Sequence, residues 1–208
     1  MNNKMNILIN HCFDYLRGTF SKQQAFLITL GIALLKWMEK TEKYAVSAKL
    51  ISNALTDADH LGQEIKRHEE QFPEFKGILN TLLDKLTENP ADYLKELYSE
   101  MNIKEIRTKE DFQELINKIV QTGSWESGIT KTPACIARLI SRFDDITNIN
   151  SFADFSAGTS SIALEIFKQT HHQPFYYAEE INTTAYLISK LLMIVNEVKN
   201  YQIVNKDP

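Results

Sequence analysis

The segment SFADFSAGTSSIALEIF, residues 151–167, has the residue types and spacing of a turn that can bind a nucleotide-like ligand. Asp154 ends a short apolar run, Gly158 follows among five Ser, Thr and Ala residues, and an apolar helical pattern comes next. Small side chains let the backbone approach a ligand, and the N–H groups of a helix N-terminus attract anions. A single glycine also fits an ordinary tight turn between a strand and a helix, so both interpretations stay open.

Acidic residues follow the next apolar run, in the segment YYAEEIN. Glu179 and Glu180 stand about 20 residues after Gly158, where a carboxylate can accept hydrogen bonds from the two hydroxyls of a ribose. One of the two could instead cap the helix predicted to begin near Asn182. Asp207 follows a third apolar run. Because ligands of open α/β sheets bind at the carboxyl ends of the strands, these acidic residues predict a site at that edge.

The elements that must position these residues alternate between strands and helices. Strands are predicted at residues 152–155, 175–179 and 201–204, and helices at 133–143, 161–170 and 182–198. This alternation indicates βαβ units and a parallel sheet. We therefore expect the first part of an α/β Rossmann-like domain, with an incomplete sheet, since such sheets usually need more than three strands to cover both faces.

The preceding residues have the pattern of a helical domain. Apolar residues recur at helical spacing over residues 26–38. Ser21 with Gln24, and Thr108 with Asp111, have the spacing of helix caps. Further helices are predicted at residues 45–55, 60–70, 76–86, 91–101 and 109–120.

Residues 121–132, which are rich in Gly, Ser and Thr, predict a linker or an ordered loop. We therefore divide the chain into a helical N-terminal domain at 1–122 and a partial α/β domain at 123–208. On the predicted helix 60–70, the side chains of His60, Glu64 and His68 share one face. That helix is highly charged, so we expect a solvated face rather than a metal site.

Composition excludes several classes of protein. The chain has 23 Lys and Arg and 27 Asp and Glu residues, a net charge of -4, which is unlike a stand-alone nucleic-acid-binding protein. No apolar run reaches about 18 residues, and the N-terminus lacks the apolar core of a signal peptide. We expect a cytoplasmic protein with no membrane partner. Cys12 and Cys135 lie too far apart in sequence to suggest a metal or disulfide pattern.

The order of the segments GITKTP, DFSAGTSS, AEEIN and NKDP resembles the N-terminal motifs of adenine-N6 DNA methyltransferases. The closest resemblance is to the modification subunit of type I restriction systems. The segment FDYLRGTFSKQQAFLITLGIALLKWMEK resembles the start of the helical domain of that family, with Leu16, Arg17 and Gly18 as its marker. The resemblance covers most of the chain, in the order that the family shows.

This resemblance implies S-adenosylmethionine as the cofactor and no metal. Seven residues match positions that contact the cofactor in the family: Gly128, Thr132, Pro133, Asp154, Gly158, Glu180 and Asp207. The first three would border the methionine end of the cofactor, and the next two would form the loop beneath it. Glu180 would bind the ribose hydroxyls, and Asp207 would face the adenine amino group.

Three positions depart from the family pattern. Phe155 replaces a proline, Ser160 replaces the second glycine, and Thr130–Lys131 replaces an aromatic pair. A serine at 160 is expected to add a side chain where the methionine portion of the cofactor passes, which would weaken binding. The family's Asn/Asp-Pro-Pro-aromatic tetrapeptide, which holds the flipped adenine, does not occur in the sequence. We therefore assign no catalytic residue and expect the chain alone not to methylate DNA.

The leading hypothesis is a portion of a type I-like DNA adenine-N6 methyltransferase subunit. Its partners would be DNA in the complete protein, specificity and restriction subunits, and further copies of the chain in a homo-oligomer. A second hypothesis is a non-catalytic interaction or assembly protein built on a degenerate half-domain. A third is a different Rossmann-like nucleotide-binding protein.

Overall fold

A computed structural model describes residues 2–88, 93–100, 108–127, 132–142, 146–170 and 172–206. The chain divides into two compact units, Met1–Glu126 and Ser127–Pro208. We call them the helical unit and the sheet unit. The domain boundary predicted after residue 122 lies inside the last helix of the first unit, and the assignment of residues 123–208 as a partial methyltransferase domain remains a prediction.

The helical unit contains seven described α-helices and a short 3-10 helix at Pro73–Phe75. The α-helices are α1 (Asn2–Leu16), α2 (Lys22–Lys40), α3 (Ala45–Asn53), α4 (Ala58–Gln71), α5 (Ile78–Glu88), α6 (Tyr93–Glu100) and α7 (Lys109–Ser127). The prediction of a linker from residue 121 is wrong up to Ser127, because α7 continues through QTGSWES. A glycine costs a helix only about 1 kcal/mol, and the next proline comes at Pro133.

Two predicted helix starts are confirmed by their capping hydrogen bonds. The backbone N of Gln24 donates to Ser21 Oγ at 3.3 Å, and the backbone N of Ser21 donates to Gln24 Oε1 at 2.8 Å. The same reciprocal pair joins Asp111 N to Thr108 Oγ1 at 3.2 Å and Thr108 N to Asp111 Oδ2 at 3.0 Å. Each pair satisfies N–H groups that have no partner inside the helix, and thereby fixes where α2 and α7 begin.

Helix α2 forms the centre of the helical unit, since eleven of its residues are buried around its whole circumference. Helices α1, α3 and α5 pack against it. Gly31 lies where α2 meets α5: a Cβ at this position would stand 2.5 Å from Leu83 Cδ2 and 3.2 Å from Leu82 Cβ. The missing side chain therefore permits the close approach of the two helices.

The predicted solvated face on α4 is wrong for two of its three residues. Glu64 and His68 are 5% and 0% exposed, and only His60 remains largely accessible. Glu64 accepts a hydrogen bond from Arg67 Nη1 at 2.7 Å, and His60 Nε2 lies 3.4 Å from the same carboxylate oxygen. The His68 ring packs edge-on against Phe75. Glu64 and His68 are therefore part of the core, and His60 lies at its margin.

The described residues of the sheet unit form three parallel strands in the order β1-β2-β3, and they confirm the predicted α/β class. Its elements are α8 (Ala134–Ile140), β1 (Ser151–Asp154), α9 (Ser161–Gln169), β2 (Phe175–Glu179), α10 (Thr183–Val195) and β3 (Tyr201–Val204), with a 3-10 helix at Ile146–Asn148. Register aligns Asp154 with Ala178, and Glu179 with Val204. The carboxyl ends of the strands therefore meet at one edge, which we call the carboxyl edge.

One face of the sheet carries the core of this unit. Tyr176, Ala178 and Ile203 pack there with Ala163 of α9 and Met193 of α10. Strand side chains alternate between faces, so Phe175 and Tyr177 of β2 point to the other face. Within the described residues β1 pairs only with β2, which leaves its second edge unpaired.

None of the described helices is long and apolar enough to span a membrane.

Candidate functional site

The loop between β1 and α9, residues 155–160, lies at the carboxyl edge and is tied to the neighbouring strand. The backbone N of Ser156 donates to Asp154 Oδ1 at 3.0 Å, which turns the chain as it leaves β1. The backbone N of Ala157 donates to the carbonyl O of Glu179 at 3.1 Å, across the end of β2. The loop is therefore part of the sheet edge.

Glu180 joins this loop to the next helix. Its Oε2 accepts from the backbone N of Gly158 at 2.7 Å, and its Oε1 accepts from the backbone N of Asn182 at 2.7 Å. Asn182 caps α10 itself, with its Oδ1 accepting from the backbone N of Ala185 at 2.9 Å. A carboxylate offers about four acceptor positions, so these two bonds leave capacity on both oxygens.

The neighbouring Glu179 has different partners. Its Oε1 accepts from Tyr177 Oη at 2.5 Å and from Lys206 Nζ at 2.7 Å. The hydrogen bond from Lys206, followed by that from Tyr177, holds the pKa of Glu179 below its usual value. Of the two adjacent carboxylates, Glu180 is therefore the one that contacts the glycine turn.

The end of β3 is tied to the same edge by Asn205. Its Nδ2 donates to the carbonyl O of Glu180 at 2.7 Å and to that of Ile181 at 3.0 Å. Its Oδ1 accepts from Thr183 Oγ1 at 3.1 Å. These bonds hold together the ends of β2 and β3 and the first turn of α10.

Two residues of the loop adopt the left-handed backbone conformation. Gly158 has φ +54°, and a Cβ on it would meet none of the described residues within 4 Å, so its outer side is open to that extent. Ser160 has φ 56° and ψ 32°, although a serine rarely takes these angles. The backbone N of Ser160 donates to the carbonyl O of Ala157 at 2.8 Å, which closes the turn around Gly158.

The side chain of Ser160 points into the core rather than along the ligand side of the loop. It is 0% exposed, and its Oγ forms hydrogen bonds with Tyr176 Oη at 2.8 Å and with Ser189 Oγ. The side chain is therefore buried in the unit rather than exposed on the loop, and the expectation that it weakens cofactor binding stays a prediction. Sequence reasoning assigns no role to Tyr176 or Ser189, and the polar side chains of these two residues within apolar elements are the signal that could have found them.

Of the seven predicted site residues, the structure brings three together: Asp154 and Gly158 in the loop, and Glu180 against it. Thr132 and Pro133 directly precede α8, which packs against α9. Pro133 occupies the cap position before the helix rather than its first residue. The remaining two, Gly128 and Asp207, lie outside the described residues, as does Thr130–Lys131.

In the described part of the chain, no group of three His, Cys, Asp or Glu side chains could hold a metal ion. The arrangement at the carboxyl edge is instead suited to a neutral or cationic organic ligand with hydroxyl groups. It offers a glycine whose outer side is open among the described residues, and a carboxylate that accepts only two hydrogen bonds from them.

The fold is similar to that of a solved structure, the methyltransferase subunit of a type I restriction-modification system from Streptococcus thermophilus. The match has a TM-score of 0.67 at 13% sequence identity, and it covers 98% of this chain and 58% of that chain. No protein-family model and no curated protein matches the sequence. The resemblance inferred from the order of the motifs is thus confirmed at the level of the fold: a helical unit followed by part of a methyltransferase sheet.

Proposed function

We propose that this chain is a portion of a DNA adenine-N6 methyltransferase subunit, and that its 155–160 loop and Glu180 bind S-adenosylmethionine. The observation that carries the proposal is the contact of the Gly158 amide with the Glu180 carboxylate at the carboxyl edge of a parallel sheet. Nucleotide-like ligands of open α/β sheets bind at this edge. The fold similarity to a methyltransferase subunit supports this choice of cofactor over other nucleotides.

The chain's own residues fit the cofactor in three ways. Glu180 is 8% exposed and already oriented by two backbone amides, so its free acceptor positions can receive the two ribose hydroxyls. Gly158 leaves room for the backbone to approach the ligand. Ile181, next to Glu180, is 62% exposed and offers an apolar surface to a flat base. The cofactor would supply an electrophilic methyl group.

Methyl transfer to adenine requires groups that this sequence does not contain, since it has no Asn/Asp-Pro-Pro-aromatic tetrapeptide. We therefore propose that this chain contributes cofactor binding and that another polypeptide segment holds the flipped adenine. The net charge of -4 fits this division, because most contacts to DNA phosphates would also come from elsewhere. Specificity and restriction subunits are the proposed protein partners.

Calorimetric titration of the full chain with S-adenosylmethionine tests the cofactor assignment. We expect saturable binding that Glu180→Ala weakens at least about tenfold, because each lost hydrogen bond to a charged group is worth roughly 1.5–3 kcal/mol. Glu179→Ala is the matched control, since that carboxylate binds Tyr177 and Lys206 instead, and it should change the affinity less than about threefold.

Circular dichroism should show that both variants fold. No heat from the unaltered chain at high micromolar cofactor would overturn the assignment. Equal losses in the two variants would overturn the role of Glu180.

A second candidate function, assembly without catalysis, is favoured by one specific observation. Phe155 and Phe175 are 57% and 37% exposed, and β1 has an unpaired edge within the described residues. Parallel sheets usually have both faces covered. An exposed apolar surface beside a free strand edge is typical of a surface that binds another chain.

A further inference from the structure

The hydroxyl of Ser160 is used in an unusual way for a residue at the start of a helix. Ser160 is the cap residue of α9, where a serine side chain commonly accepts a hydrogen bond from the first turn. Here it makes no capping hydrogen bond, and the backbone is left-handed instead of extended. Left-handed backbone is costly for any residue that has a Cβ, so something must hold Ser160 in it.

The contacts of this hydroxyl supply the restraint. Ser160 Oγ lies 2.8 Å from Tyr176 Oη on β2 and also contacts Ser189 Oγ on α10. All three residues are 0% exposed, so water cannot replace any of these bonds. Burial raises the pKa of Tyr176, which keeps its hydroxyl protonated and able to donate. A buried hydroxyl that left this group would leave its partners unsatisfied, which is strongly unfavourable.

We propose that Ser160 is a positioning residue whose buried hydroxyl, anchored by Tyr176 and Ser189, holds the 155–160 loop in the conformation that binds the cofactor. A glycine at this position would adopt the left-handed conformation without strain. In Ser160 the hydrogen bonds of the hydroxyl hold that conformation instead. It fixes the residue whose amide closes the turn around Gly158, and through that turn it keeps the Gly158 amide on Glu180.

The effect on binding rests on the proposed cofactor function, whereas the restraint on the loop does not. Two variants separate the anchor from the backbone requirement. Ser160→Ala removes the hydroxyl and keeps the cost of the left-handed backbone, and Ser160→Gly removes both. Both variants lose the same buried hydrogen bonds. If Ser160 served stability alone, the two variants would therefore weaken cofactor binding equally.

The first measurement is hydrogen exchange at the amides of Gly158 and Ser160 in the full chain without cofactor. We expect Ser160→Ala to exchange at least about tenfold faster than the unaltered chain at these two amides, because the loop can leave its left-handed conformation. Amides in β3 should change little. Unchanged exchange at both loop amides in Ser160→Ala would overturn the anchor.

The second measurement is the affinity for S-adenosylhomocysteine, the demethylated product of the proposed cofactor. Ser160→Ala should bind about tenfold more weakly, and Ser160→Gly should stay within about threefold of the unaltered chain. Ser161→Ala, in the next residue, is the matched control and should bind normally. Equal losses in the Ala and Gly variants would overturn the positioning role.

A double-mutant cycle then tests the link to α10. Ser189→Ala should weaken binding in the unaltered chain but not in Ser160→Gly, because the anchor is already absent there. Additive losses would show that Ser189 acts independently and would overturn the proposed group. If the unaltered chain binds no S-adenosylhomocysteine while Ser160→Ala still accelerates loop exchange, the cofactor proposal fails and the anchor stands.

Discussion

Burial of His68 makes the helical unit sensitive to acid. The ring is 0% exposed, its Nδ1 lies 2.6 Å from Ser47 Oγ, and its Nε2 has no hydrogen-bond partner in the part of the chain that the structure describes. Burial lowers the pKa of His68 to about 4, although the carboxylate of Glu74 acts in the opposite direction. The folded protein therefore holds this imidazole neutral at pH values where the unfolded chain protonates it.

This pKa predicts a loss of stability as the pH falls from about 6.5 to about 4. Within that window the unfolded chain binds a proton that the folded chain does not, so the free energy of unfolding decreases. Between pH 7.5 and pH 5 the expected loss is about 2 kcal/mol. Urea unfolding followed by circular dichroism at the two pH values measures it.

His68→Gln should remove this part of the pH dependence, since glutamine does not titrate. His60→Gln is the matched control on the same helix, because the side chain of His60 is 55% exposed. The prediction is contradicted if His68→Gln retains the full loss, or if His60→Gln removes as much of it.

The contact between helices α2 and α5 depends on the missing side chain of Gly31. A side chain there must displace Leu83 and approaches Leu82 Cβ to 3.2 Å, whereas a Cβ on Gly62 of α4 meets nothing within 4 Å. We expect Gly31→Val to lower the free energy of unfolding by about 2 kcal/mol, because overpacking a core commonly costs 1–3 kcal/mol. Gly62→Val should change it by less than about 0.5 kcal/mol. Thermal and urea unfolding of both variants would show the contrast, and equal changes would contradict it.

Most elements follow from local patterns in the sequence. The three strands were predicted within one residue of their ends because apolar runs there are short and bounded by polar turns. The start of α2 was predicted because Ser21 and Gln24 carry a local capping signal. The end of α7 does not follow from its sequence, because Gly and Ser weaken a helix without ending it.

Some residues of the candidate site can be predicted from the sequence and others cannot. Asp154, Gly158 and Glu180 could be found because their types and order in sequence carry the signal. The inward turn of Ser160 could not, because its partner Ser189 is 29 positions away and meets it only through the packing of α10 on the sheet. The burial of His68 was hidden for the same reason, since its charged helix looks solvated when read alone.

Self-association of the chain distinguishes the two proposed functions, cofactor binding and assembly. The exposed Phe175 lies at the start of β2, away from the carboxyl edge, so changing it leaves the proposed cofactor site intact. We expect the chain to self-associate as its concentration rises through the micromolar range, because its sheet exposes apolar side chains. Sedimentation velocity measures this association.

Phe175→Ser should weaken the association several-fold, since it removes apolar surface from the sheet. Val46→Ser is the control, because Val46 is 78% exposed in the helical unit. A monomer at every concentration would contradict the assembly function and leave cofactor binding untouched. Equal weakening by both variants would show that the sheet surface is not the contact.

The backbone conformation of Ser160 also determines which kind of search pattern detects this turn. A fingerprint written in residue letters, with a second glycine required, excludes this chain. A fingerprint written in dihedral angles retains it, because φ 56° and ψ 32° lie where a glycine is usually demanded. A search for left-handed residues that are paired with a buried hydroxyl would therefore detect chains with this turn that searches by residue identity pass over.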